Sequence, residues 1–269
     1  MKKTLLLLVC AGIGCAGARA QQAPTPEAAR TAVANCPDVS ALAKRVESMN
    51  QRLMDWPLLA RYKDANTKVA APTAGEQRVV FMGDSITDIW QQPEMGGFFP
   101  GKPYLDRGIS GQTTPQMLLR FRPDVIGLQP QVVVILAGTN DIAGNTGPMT
   151  LEEIEGNLSS MSELAHVHKI RVVLSSVTPV ADLTTPDGKS ITQTLRRPPE
   201  KILALNEWIK KYAAEHDDVY LNYFPAMADE KGFFKKEMTN DGLHPNAAGY
   251  AVMEPLAEKA IQQAMAVKP

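Results

Sequence analysis

The chain is expected to fold as an α/β protein, a three-layer, doubly wound sheet of about five parallel strands with extra helices on its N-terminal side. Three observations carry that expectation. From residue 78 onward, strand-like and helix-like stretches alternate. Two of the strand-like runs, VVVIL and RVVL, are apolar on both faces, as strands covered by helices on both sides should be. Glycine and polar residues gather just after the strands, where an open parallel sheet forms its binding crevice.

Residues 1–20 read as an export signal. Lys2 and Lys3 are basic, Leu5 to about Ala16 is apolar, and Ala18-Arg19-Ala20 offers small residues to a signal peptidase, with cleavage expected after Ala20. The run is shorter than the ~20 apolar residues a membrane span requires, so stable membrane insertion is not expected. Cys10 and Cys15 raise a lipid-anchor alternative, which Val9 and Gly12 disfavour because they fit the usual lipobox poorly. Residues 21–37, rich in Ala, Pro and Gln, read as a loosely ordered leader. Residues 38–77 read as a helical extension and linker. There, Val39, Leu42, Val46, Met49 and Leu53 recur at three- and four-residue spacing, the mark of a helix packing on the outside of a core. Asp55-Trp56-Pro57 looks like the start of a second helix, reaching about Val69.

Residues 78–269 form the main domain. Strands are expected at 79–82, 104–109, 132–137, 172–177 and 219–221. Helices are expected near 85–91, 114–121, 151–168, 199–214 and 246–266. Crossovers between parallel strands are right-handed, so the loops after the strands converge on one edge.

Losing Lys2, Lys3 and Arg19 with the signal, from 28 basic and 29 acidic residues, leaves a formal charge of −4. That balance gives no electrostatic footprint for nucleic acid or for an anionic membrane. Two of the three cysteines leave with the signal, so Cys36 stands alone, no intrachain disulfide can form, and it reads as a plain free thiol.

Four junctions carry residues able to do chemistry: Gly83-Asp84-Ser85, Arg107 to Thr114 (RGISGQTT), Ala137 to Asp141 (AGTND), and Asp241 to Pro245 (DGLHP). Each has an ordinary alternative. Ser85 could cap a helix, Gly108 and Gly111 could serve turns, Asn140 and Asp141 could cap a turn, and Asp241 could simply hold His244 in a loop. Together they supply the parts of an acyl-transfer site. Of four histidines, His166 and His168 fall at a helix end that favours a cation, with no Cys or acid spaced to complete a metal site. His216 ends another helix. His244 has an acid three residues earlier, so Asp241 can accept its Nδ1–H and leave Nε2 to take a proton from serine. Ser85 opens a predicted helix, whereas Ser110 lies between two glycines, and Ser175 and Ser176 read as strand-end residues. The Ser85 N–H, the Gly111 N–H and the Asn140 amide could receive the oxyanion, and losing one such donor costs on the order of 3 kcal/mol.

GDSIT, GISGQTT, GTND and DGLHP, in that order, resemble the four sequence blocks of the SGNH (GDSL-type) hydrolases over residues 78–266. The strings are most similar to the branch holding platelet-activating-factor acetylhydrolase subunits and bacterial esterases. The resemblance implies the flavodoxin-like SGNH fold, Ser85 as nucleophile, His244 as base, Asp241 as its orienting acid, and Ser85, Gly111 and Asn140 as oxyanion donors. Ile86 stands where the GDSL string has leucine, a mild apolar exchange. An ordinary α/β-hydrolase fits less well, because Thr87 replaces the second glycine of its nucleophile elbow.

The expected function is two-step hydrolysis of short-acyl esters through an acyl-enzyme, without cofactor or metal. Small-molecule or glycan esters are the expected partners, and the oligomeric state is open. Residues 91–103 and 179–199 are expected pocket walls, with Phe98 and Phe99 either contacting an apolar group or simply packing. Lysophospholipid or thioester hydrolysis, acyl transfer to an alcohol, and an idle periplasmic binding protein are the alternatives.

Overall fold

The computed structural model describes residues 39–185 and 187–266. The expected signal, the leader and Cys36 lie outside them. The chain divides into two compact units after Leu53. On the first side is helix α1 (Val39–Met54), whose residues Leu42, Val46, Met49 and Leu53 are exposed.

The second unit is built on five parallel strands: β1 (Val79–Gly83), β2 (Tyr104–Gly108), β3 (Val132–Leu136), β4 (Arg171–Ser175) and β7 (Val219–Leu221). Their spatial order is β2-β1-β3-β4-β7, the doubly wound order whose crevice opens where the chain departs to opposite sides of the first strand. Gly83 pairs with Gly108 on one side and with Leu136 on the other. Three strands thus end at one level, and the segments that follow them start side by side. The expected strands differ from the observed ones by only one or two residues at their ends.

Alternation along the strands assigns the two cores. Val80, Met82, Val133 and Ile135 pack under helices α4 (Thr114–Asp124), α6 (Leu151–Val167) and α7 (Pro199–Glu215). Val79, Phe81, Val132, Val134 and Leu136 face α3 (Ser85–Trp90) and α9 (Ala247–Ala266). Capping boxes start α4 at Thr113 with Gln116 and α6 at Thr150 with Glu153. The Tyr250 hydroxyl of α9 donates to the Ile86 carbonyl at 2.7 Å, tying the closing helix to α3. Among the described residues, no helix is long and apolar enough to cross a membrane.

Two local readings change. The helix expected from Asp55 to about Val69 is instead a run of turns ending in the single-turn α2 (Lys63–Thr67). Leu58 adopts a left-handed φ of 56°, which no helix interior permits. The Asp55 carboxylate holds the turn by accepting from Leu59 N and Ala60 N at 2.7 and 2.9 Å. This stretch belongs to the same unit as the sheet. Gln112 and Gln116 donate to the carbonyls of Pro57 and Trp56, both at 2.7 Å, and the Tyr62 hydroxyl donates to the Gly108 carbonyl. Residues 179–199, read as a plain wall, carry a small antiparallel hairpin, β5 (Leu183–Thr184) with β6 (Ser190–Ile191).

Candidate active site

Strand β1 delivers Asp84 and Ser85 at the crevice. The helix cap is Asp84, whose Oδ1 accepts from Ile86 N at 2.9 Å. Ser85 is therefore not the cap. It takes the first helical position, where the backbone N–H has no carbonyl one turn back to meet it. Its hydroxyl donates to His244 Nε2 at 2.9 Å, and His244 Nδ1 donates to Asp241 Oδ2 at 2.6 Å. The second carboxylate oxygen of Asp241 accepts from His244 N at 2.8 Å and Leu243 N at 2.9 Å. One carboxylate thus fixes both the ring and the backbone beneath it. Gly242 makes the tight turn feasible: its φ is +76°, and a side chain there would collide with the Ala181 carbonyl. Burial alone would raise the Asp241 carboxyl, but the hydrogen bonds from the His244 ring and the two backbone amides outweigh it. They hold the group well below the usual carboxylate range. A hydroxyl, an imidazole and an ionised acid in this order can move a proton off the serine while keeping the ring in one tautomer.

Asn140 links two further junctions to the first, through the Gln112 carbonyl and Asp84. Gly111 is exposed and has a φ of +82°, with nothing within 4 Å of where a side chain would stand, so backbone can approach a ligand there. Asn140, 3% exposed, sits on a one-turn helix, α5 (Thr139–Ile142), rather than in the expected turn. Its Nδ2 donates to the Gln112 carbonyl at 3.0 Å and lies 3.4 Å from Asp84 Oδ2. Asp141 next to it joins the second and third junctions, because its Oδ1 accepts from Thr114 N at 2.8 Å and Thr114 Oγ1 at 2.6 Å. Asp84 is fully buried, and desolvation pushes its carboxyl up to about 6 against the pull of the Ile86 N–H and the His244 charge.

Hydrogen bonds join Ser85, His244 and Asp241, and Asn140 reaches the residues next to Ser85 and Gly111, through Asp84 and the Gln112 carbonyl. The two phenylalanines differ in their surroundings. Phe99, 1% exposed, packs in an aromatic cluster with Phe81, Trp90 and Tyr104, so packing accounts for it. Phe98 stacks edge-on to Phe81 and Trp90 and lines a separate groove of about 550 Å³ with Gln91, Arg61 and Tyr62. A wider groove of about 1040 Å³ runs between Ala181, Asp182 and Thr194 on one side and the 228–237 segment on the other. The rival serines are committed. Ser110 donates to Asp88 Oδ2 at 2.6 Å, Ser175 donates to the Ser176 carbonyl, and Ser176 Oγ accepts from Tyr223 N and Phe224 N.

Sequence reading gave no role of their own to Asp84, Gln112, Gln193 and Arg197. Asp84 and Gln112 lie inside the junction strings it singled out, Asp84 as a capping type directly before the serine. Gln193 and Arg197 lie within the expected 179–199 wall, where no periodicity or motif marks either residue. Among the described residues, no group of three His, Cys, Asp or Glu could hold a metal ion.

The GDSL-like Lipase/Acylhydrolase family matches residues 81–252, well over half of the chain. A GDSL-like lipase of Bacteroides thetaiotaomicron VPI-5482 is 42% identical, with a TM-score of 0.70 over 77% of this chain and 98% of that one. A candidate acylhydrolase of Bacteroides fragilis NCTC 9343 is 40% identical, with a TM-score of 0.71 over 78% and 98%. The uncharacterized lipoprotein YqeF of Bacillus subtilis (strain 168) is 33% identical over 81 residues, which is 29% of this chain and a third (33%) of that protein. With its parallel five-stranded sheet and the family's span over the crevice residues, the chain belongs to the GDSL-like lipase/acylhydrolase family and is a carboxylic ester hydrolase.

Proposed function

We propose that the protein hydrolyses short-acyl esters, of the acetyl type, by a serine acyl-enzyme route. The observation that carries the reading is the unbroken chain from Ser85 Oγ through the His244 ring to Asp241, at 2.9 and 2.6 Å. His244 Nε2 takes the hydroxyl proton as Ser85 Oγ attacks the acyl carbonyl, and Asp241 stabilises the imidazolium. The backbone N–H groups of Ser85 and Gly111 and the Asn140 amide receive the oxyanion. His244 then gives its proton to the departing alcohol. Water repeats the sequence on the acyl-Ser85 and returns the free acid. No cofactor enters any step.

The short-acyl preference rests on the polar character of the converging loops, with Gln112, Asn140, Gln193 and Arg197 around the relay, and on the commitment of Phe99 to packing. A series of p-nitrophenyl esters tests it. kcat/KM is expected to fall steadily beyond the shortest acyl groups, and preference for chains of eight or more carbons would overturn it. Running the same assay with an added alcohol separates hydrolysis from acyl transfer by the products formed.

Residues 1–20 direct export in this reading, with cleavage after Ala20. The intact mass of protein recovered from the cell envelope tests it. A mass beginning at Gln21 agrees, and a diacylglyceryl adduct on Cys10 or Cys15 would replace the soluble exported form with an anchored one.

A further inference from the structure

The oxyanion role of Asn140 depends on which end of its amide faces the reacting oxygen. An Asn side chain can turn over, exchanging a donor for an acceptor at nearly the same volume. If it did so here, a carbonyl would stand where an anion must form. Something has to hold the amide in one sense.

Neighbours of opposite character do so. The Gln112 carbonyl, which can only accept, takes one Nδ2 hydrogen at 3.0 Å, and Asp84 Oδ2 lies 3.4 Å from the same nitrogen. Arg197, which can only donate, gives Nη2–H to Oδ1 at 3.3 Å. Turning the amide over would set oxygen against oxygen on one side and N–H against N–H on the other. Arg197 is 4% exposed and is itself held in place. Its Nε donates to Thr139 Oγ1 at 3.1 Å, and its Nη1 to Gln193 Oε1 at 2.9 Å. Gln193 Nε2 goes on to donate to the Asp241 carbonyl at 3.0 Å. A single planar guanidinium therefore links Asn140, through Gln193, to the backbone of Asp241. Burial and the neighbouring Arg196 weigh against its charge, while Asp84 and Asp241 support it.

We propose that Arg197 is a positioning residue that fixes the sense of the Asn140 amide and polarises it, so that Nδ2–H is a stronger donor to the transition-state oxyanion. A cation on the carbonyl end of an amide draws density from its nitrogen, as successive hydrogen bonds reinforce one another in a buried chain. Arg197 touches no reacting atom; its effect passes through Asn140. The inference rests on the oxyanion role given to Asn140 above.

A double-mutant cycle on an acetyl ester tests it, with kcat and KM measured for Arg197→Met, Asn140→Ala and the pair. Arg197→Met is expected to lower kcat by about 10- to 100-fold with KM within about threefold, the pattern of an interaction made in the transition state. In the Asn140→Ala background the same change should cost less than about threefold, since the residue it acts through is gone. Arg197→Lys keeps the charge but replaces the guanidinium fork with a single donor nitrogen and should fall between. It carries the same cycle should thermal melting show that Arg197→Met is unfolded. Equal losses from the Arg197 variants in both backgrounds, or none in the wild-type background, would overturn the inference while leaving the oxyanion role standing. An unchanged kcat in Asn140→Ala would overturn both.

Discussion

At the C-terminal edge of the sheet, His244 stands between Ser85 and Asp241. Beside the N-terminal end of β7, Asp218 stands between Ser162 and His166. Ser162 donates to Asp218 Oδ2 at 2.6 Å, and His166 Nε2 contacts Oδ1 at 2.7 Å. The two clusters hold the same three residue types at similar distances, yet they differ in wiring. In the first, the imidazole faces the hydroxyl and can take its proton. In the second, the carboxylate takes the hydroxyl proton as a hydrogen bond and keeps the ring on its far side. Ser162 is 0% exposed, so no substrate reaches it. Burial raises the Asp218 carboxyl, with the Ser162 and His166 contacts opposing, whereas Asp241 is driven down. The set of residues does not make a site. Their order does.

That contrast can be broken by mutation, starting with the largest effect. Ser85→Ala should remove esterase turnover by several orders of magnitude, leaving only what binding and the oxyanion donors contribute, with melting unchanged. Asp241→Asn should lower kcat by about 10³- to 10⁴-fold, because the ring loses the partner that sets its tautomer. Ser162→Ala should do the reverse. It removes the hydroxyl that satisfies a buried carboxylate oxygen, so the protein should lose about 1–3 kcal/mol in urea titration while kcat stays as in the wild type.

Another buried carboxylate separates stability from activity along the pH axis, with no change expected in kcat. Asp106 Oδ1 accepts from Gly108 N at 2.7 Å, and Oδ2 has no hydrogen-bond partner among the described residues. Desolvation pushes the group up to about 7. A carboxyl raised on folding binds its proton more tightly in the native state. Its contribution is full below the unfolded value of about 3.9 and is lost as pH rises through about 7. Wild-type melting temperature should therefore carry a declining component over that window, and Asp106→Asn should flatten it.

Much of the site was legible because its parts are short strings at strand ends. GDSIT, GISGQTT, GTND and DGLHP each hold their chemistry within a few residues, and a parallel sheet gathers such ends whatever lies between them. What depended on distant packing was not legible. Arg197 meets Asn140 from 57 residues away, and His166, read as a helix-end cation, meets Asp218 from 52. The paired phenylalanines were ambiguous because adjacent aromatics do not say which of them faces the core. The helix expected after Asp55 fails at Leu58, whose left-handed backbone is imposed by the turn around the Asp55 carboxylate rather than by its own preference. Ser85 could be read as a cap until the structure gave that task to Asp84.

The most direct test of the account is to react the native protein with a fluorophosphonate and locate the adduct by peptide mass spectrometry. A single adduct on Ser85, lost in Ser85→Ala and slowed sharply in His244→Ala, is the predicted result. An adduct on Ser110 or Ser162 instead, or undiminished ester turnover by purified Ser85→Ala, would contradict it.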